Sequence, residues 1–104
     1  FAVSGGVAQA VVNVIKKEDP TREVKVVSAQ GLAECKKMMQ LAAAGKYNGY
    51  LLEGMACPGG CIAGAGTLAD PARSAMMLNK YKAQATMKTA ADTPYKDTLD
   101  KLKY

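Results

Sequence analysis

The 104-residue chain has no histidine and no tryptophan, a single phenylalanine and only three cysteines. Without histidine it lacks the usual general base and the usual zinc co-ligand, so its chemistry must rest on sulfur, carboxylate, lysine, backbone groups or a cofactor. An odd cysteine count does not suggest the framework of a secreted disulfide domain. No apolar run reaches membrane-spanning length, nothing reads as a signal peptide and no tract is of low complexity. The expectation is a soluble, cytoplasmic protein with no membrane partner.

The net charge of +5 invites a nucleic-acid reading, but the charge is spread: residues 1–69 carry seven basic and five acidic groups, residues 70–104 seven and four. No basic stripe forms, and aromatics are not interleaved with the lysines as a single-strand binder needs, so no nucleic-acid partner is expected. The glycines from Gly59 to Gly66 are not followed by Gly-Lys-Ser/Thr, so they are not a P-loop.

A chain of this length forms one domain, 1–104, burying roughly two thirds of its unfolded surface. Much of its 49% hydrophobic content is alanine, which predicts a thin core of Ala, Val, Leu and Met. It opens on Phe1-Ala2-Val3-Ser4-Gly5-Gly6 with no initiator methionine, as expected of a domain cut from a longer polypeptide.

Val7, Ala10, Val11, Val14 and Ile15 recur at helical spacing, with Ser4 a candidate N-cap and a stop near Lys17 to Pro20. Glu23–Ser28 is short and β-branched, hence a strand. Leu32, Cys35, Met39 and Ala42 or Ala43 mark one face of a second helix ending at Gly45, and Asn48–Leu52 gives a second strand. Asp70-Pro71 starts a helix running to about Ala85, with Ala75, Leu78 and Tyr81 or Lys82 on one side. Thr93-Pro94 starts a last helix with Tyr95, Leu99 and Leu102 as its buried stripe. The fold class is α/β: a helix-strand-helix-strand crossover unit with a short parallel sheet, followed by C-terminal helices. Ligand sites in such units collect at the carboxyl ends of the strands, where the second strand runs into the cysteines.

Cys57 and Cys61 stand in Met55-Ala56-Cys57-Pro58-Gly59-Gly60-Cys61-Ile62. Pro58 reads as the first residue of a helix with Cys57 at its mouth, where the dipole and free amides favour thiolate over thiol. Gly59 and Gly60 let something bulky approach the backbone. Both sulfurs are thereby suited to metal binding or redox chemistry. A thioredoxin-type pair has two intervening residues rather than three, and a 4Fe-4S cluster normally takes four thiolates, of which the chain could supply three even with Cys35. Cys35, beside Leu32 and Met39, reads as core. Ser4, Gly5 and Gly6 read either as a cap with two flexible residues or as exposed amides suited to an anionic or polar ligand.

The segment from Glu53 to Ile62, with Gly64 and Gly66 beyond it, resembles the last cysteine motif of iron-only (FeFe) hydrogenases. Phe1 to Val11 resembles a second family segment upstream, and the tail with Arg73, Tyr81, Leu99, Leu102 and Tyr104 is loosely similar. The resemblance implies the carboxy-terminal part of the catalytic large-subunit domain. It assigns Cys57 to an iron of the 4Fe-4S subcluster and Cys61 to the bridge towards the diiron subsite, the two together forming the H-cluster where hydrogen is made or split. It sets Met55 against the diiron site and the glycines Gly5 and Gly6 near its carbonyl and cyanide ligands, with Ser4 in the same cofactor-binding segment. It also implies a missing upstream part of the polypeptide with the other two cysteines, the proton-transfer acids and a thiol, and an electron carrier such as ferredoxin. The fragment alone is expected to be inactive and without cluster. Glu53 is expected to brace the cysteine loop rather than act as an acid. Many members continue Ile-Asn-Gly-Gly-Gly-Gln-Pro after the second cysteine, whereas Ala63, Ala65, Thr67 and Leu68 depart from that pattern here, and Gly54 stands where Val is common. These changes imply a divergent subgroup. Two other readings are an iron-sulfur assembly or sensory relative without hydrogen turnover, and a CxxxC thiol redox module.

Overall fold

The structure, a computed structural model, describes residues 1–99 and 101–102. The chain runs α1 (Gly6–Glu18), β1 (Lys25–Gln30), α2 (Leu32–Ala43), β2 (Tyr50–Met55), α3 (Pro71–Ala83) and α4 (Lys96–Leu99), with 3-10 turns at Cys61–Ala63 and Ala90–Asp92. β1 and β2 pair in parallel, from Lys25 opposite Tyr50 to Gln30 opposite Met55. The expected α/β crossover unit is therefore present. Both strands run later than residue preference suggested, because the ladder carries the pairing through Gln30 and Gly54. It is closed by the Gly31 N–H donating to the Met55 carbonyl at 2.8 Å.

Side chains alternate across the sheet. Ala29 and Gly54 share the face under α2, where Cys35 and Met38 lie against Gly54. Ser28 and Glu53 share the opposite face, which receives the first turn of α1. The two helices thus cover opposite faces of a two-stranded sheet.

The α2 face differs from the expected one. Met38 is buried while Leu32 and Met39 are exposed, so the inward positions are Cys35, Met38 and Ala42. An adjacent Met38-Met39 pair satisfies either phase of the helix, and the sheet selects between them. The helix ends in a Schellman motif. The Gly45 N–H donates to Ala42 at 2.9 Å and the Lys46 N–H to Leu41 at 3.0 Å, with Gly45 at φ +85°.

Asp70 caps α3 as expected, its Oδ1 accepting from the Arg73 N–H at 2.8 Å. The helix has no fully buried residue, and Tyr81 is exposed. α3 packs on the Cys61–Ala63 turn. The expected last helix is a single turn, Lys96–Leu99, and the stripe is not buried at Tyr95 or Leu102. The side chain of Leu99 and all of Tyr104 lie outside the described residues. The tail is tied back instead by Asp92. Its carboxylate pairs with Lys17 and accepts from the Thr89 N–H at 2.7 Å, contacts that hold its pKa well below the usual range, Lys17 foremost.

The core is thin, as composition implied. Ala8, Val12, Ala29 and Met38 are its buried apolar residues among those described. The accessible surface is 8118 Å², against about 5,600 Å² for a folded monomer of this mass. The radius of gyration is 16.0 Å, against about 13 Å for this length.

Candidate metal centre

β2 delivers Met55 directly into the cysteine loop, but no α-helix begins at Pro58. Cys57, Pro58, Gly59 and Gly60 form a turn closed by the Gly60 N–H donating to the Cys57 carbonyl at 3.0 Å. Proline at the second position and Gly59 at φ +85° at the third are the signature of a type II turn. Cys61 opens the three-residue 3-10 turn that follows. The helix dipole expected to favour thiolate therefore has no helix behind it. Proline fitted a helix start and a turn equally well, and the glycine after it decided the matter.

Both thiols are exposed and unpaired, Cys35 is half-buried, and no disulfide forms among the described residues. Cys35 Sγ lies 3.7 Å from the Ala29 carbonyl and 3.8 Å from that of Met55, beneath Gly54. It is packed between α2 and the sheet rather than presented with the other two, in line with its reading as core.

The segment Ala2–Gly6 lies directly on the cysteine loop. The Ser4 N–H donates to the Gly59 carbonyl and the Ile62 N–H to the Ala2 carbonyl, each at 3.2 Å. Gly60 is buried at φ +90° and ψ −170°, and a Cβ there would stand 2.5 Å from the Ala2 carbonyl oxygen and 2.7 Å from the Ser4 nitrogen. The bulky group that this glycine admits is the chain's own backbone.

Sequence reasoning missed Gln30. Its Oε1 accepts from the Gly59 N–H at 2.7 Å, tying the end of β1 to the turn. The one available signal was a polar residue closing a strand ahead of a glycine.

Glu53, expected to brace the cysteine loop, makes no hydrogen bond to the loop itself and acts on α1 instead. Its Oε1 accepts from the N–H groups of Val7 at 3.1 Å and Ala8 at 3.0 Å, so it caps α1 from another element. Ser4 is not the N-cap. Gly5 holds that position at φ +84°, without a side-chain cap. Burial disfavours the Glu53 anion, but the Ala8 N–H, the Ser28 hydroxyl and the Gly5 and Val7 N–H groups together outweigh it and hold the pKa below the usual value. Oε2 meets no partner in hydrogen-bond geometry.

These contacts also revise the exposed-amide reading of Ser4–Gly6. The Ser4 and Gly6 N–H groups bond to Gly59 and Val3, and the next two amides bond to Glu53. What Gly5 offers is bare backbone, with nothing within 4 Å of where its Cβ would stand.

The donor set suits a soft metal cluster in part. Two free thiols share one glycine-rich loop, and Gly64 keeps space beside Cys57, whose sulfur would lie 3.6 Å from a Cβ there. No group of three or more potential metal ligands gathers among the described residues. A four-iron cluster needs more thiolates than this loop supplies.

A family model described as iron only hydrogenase large subunit, C-terminal domain, matches residues 1–65, from the segment before α1 through the cysteine loop. No curated protein and no solved structure matches the chain.

Proposed function

The chain belongs to the C-terminal-domain family of iron-only hydrogenase large subunits, and on that premise we propose that its cysteine loop is one side of an H-cluster pocket. Cys57 and Cys61 would supply two of the thiolates that hold the cluster, Cys57 to the 4Fe-4S part and Cys61 on the side of the diiron part. Met55 and the Ser4-Gly5-Gly6 backbone would line the diiron side. When bound, that cofactor supplies the redox chemistry that reversibly joins two protons and two electrons as hydrogen. The residues of this chain supply soft thiolates, a turn held by Gln30 and Gly60, and a bare glycine surface that lets a ligand approach closely.

One observation carries the reading. The two segments that resemble the family's motifs, far apart in sequence, are hydrogen-bonded to each other. The open surface supports a larger assembly: a groove between α1 and β2, lined by Val7, Val11, Leu51 and Leu52, remains uncovered. In this reading the remaining thiolates and the proton-transfer acids come from another part of the same polypeptide. A ferredoxin-type carrier delivers electrons, and the location is cytoplasmic.

The test is anaerobic production of the native-length polypeptide with hydrogenase maturation factors, followed by iron and sulfide analysis, infrared spectroscopy of the diatomic ligands and a hydrogen assay. Wild type should show all three signatures, and Cys57→Ser and Cys61→Ser should lose cluster iron and turnover. A four-iron cluster without diatomic ligands or turnover would favour the assembly or sensory relative. Absence of iron with a reversible two-electron thiol couple would favour the redox module.

A further inference from the structure

We infer that Glu53 is a positioning residue whose buried carboxylate pins the Ser4–Gly6 segment against the Cys57–Cys61 loop. This deepens the cluster reading and rests on it for its consequence, that two walls of one pocket keep a fixed separation.

Glu53 is 6% exposed and is the buried charged side chain among the described residues. Burying a carboxylate is unfavourable unless its charge is met by donors. Here two N–H groups at the positive end of α1 meet it, in charge-assisted bonds stronger than neutral ones. A serine at the N-cap would satisfy the same amides locally at a smaller desolvation penalty. What a local cap cannot do is fix α1 relative to β2. Glu53 reaches 45 and 46 residues back along the sequence, and β2 continues from it through Met55 into Cys57.

The other links to the loop are the two backbone bonds of 3.2 Å within the first four residues. Phe1, at 75% exposed, gives that segment little side-chain packing. Pinning the first turn of α1 leaves only Gly5 and Gly6 between the anchor and Ser4.

Amide hydrogen exchange on this chain, read by NMR, tests the inference without any cluster, so its failure is separable from failure of the hydrogenase reading. Wild type should protect Ser4, Val7, Ala8 and Ile62. In Glu53→Ala these four amides should exchange about 10- to 100-fold faster, while β1, β2 and α2 change by less than about threefold. Glu53→Gln keeps an acceptor at Oε1 and should fall between the two. Equal acceleration at every amide in both variants would make Glu53 a general core brace and overturn the proposal. Unchanged exchange at Ser4 and Ile62, or no protection of them in wild type, would overturn it as well.

Discussion

Replacing Gly60 by alanine tests whether the cysteine loop and the opening segment form one unit. Its backbone, at φ +90° and ψ −170°, lies in a region essentially reserved for glycine, so the conformation alone costs alanine about 1–3 kcal/mol. The new methyl would also meet backbone on three sides: the Ala2 carbonyl at 2.5 Å, the Ser4 nitrogen at 2.7 Å and the Val3 carbonyl carbon at 2.9 Å. No side chain can rotate aside, so the segment must lift, breaking the Ser4–Gly59 and Ile62–Ala2 bonds at about 1 kcal/mol each. The total is about 3–5 kcal/mol, a large share of a small domain's stability. Gly5→Ala is the control. It too has positive φ, but nothing lies within 4 Å of its Cβ, so only the backbone penalty of about 1–2 kcal/mol remains. Urea unfolding followed by circular dichroism compares the two variants with wild type. If Gly60→Ala is no more destabilising than Gly5→Ala, the segment does not rest on the loop and the reasoning fails.

Thiol titration with a disulfide reagent should show two fast groups, Cys57 and Cys61, and one slow group, Cys35. Cys57→Ser and Cys61→Ser should each remove one fast group, and three equal rates would contradict the packing beneath Gly54. The depressed pKa of Glu53 makes part of the stability pH-dependent. Because the folded state binds the proton less tightly than the unfolded chain, whose value is near 4.5, this contribution is present above that pH and is lost as pH falls through the lower folded value. Glu53→Gln should therefore be less stable than wild type at pH 7, with the gap narrowing below pH 4.5. A gap constant from pH 7 to pH 3 would show that the carboxylate gains nothing from its amides.

The elements with strong local instructions were legible in the sequence. Gly45 and Asp70 each carry one chemical reason to end or begin a helix, and each does so. The β-branched run around Val26 and Val27 marked β1, although the ladder rather than preference set its end. Legibility failed where the local signal allowed two answers and a neighbouring residue or a packing partner chose. Pro58 suits a helix or a turn, and Met38 and Met39 suit either phase of α2. Glu53 could not be assigned to α1 because its partners lie more than forty residues away, on a separate element. At the candidate centre, residue types named the thiols, but only the fold shows that Ser4–Gly6 lies against their loop and that Gln30 holds the turn.

The contact between Gly54 and Cys35 constrains how this sequence can drift. A methyl at position 54 would press on the Cys35 sulfur at 3.3 Å and approach the Met38 Cε at 3.9 Å, leaving no room for valine unless the sulfur gives way. The two sites therefore share one volume. A side chain at 54 is accommodated only as far as the Cys35 sulfur can move aside, so the thiol in α2 and the bare backbone in β2 are matched in volume.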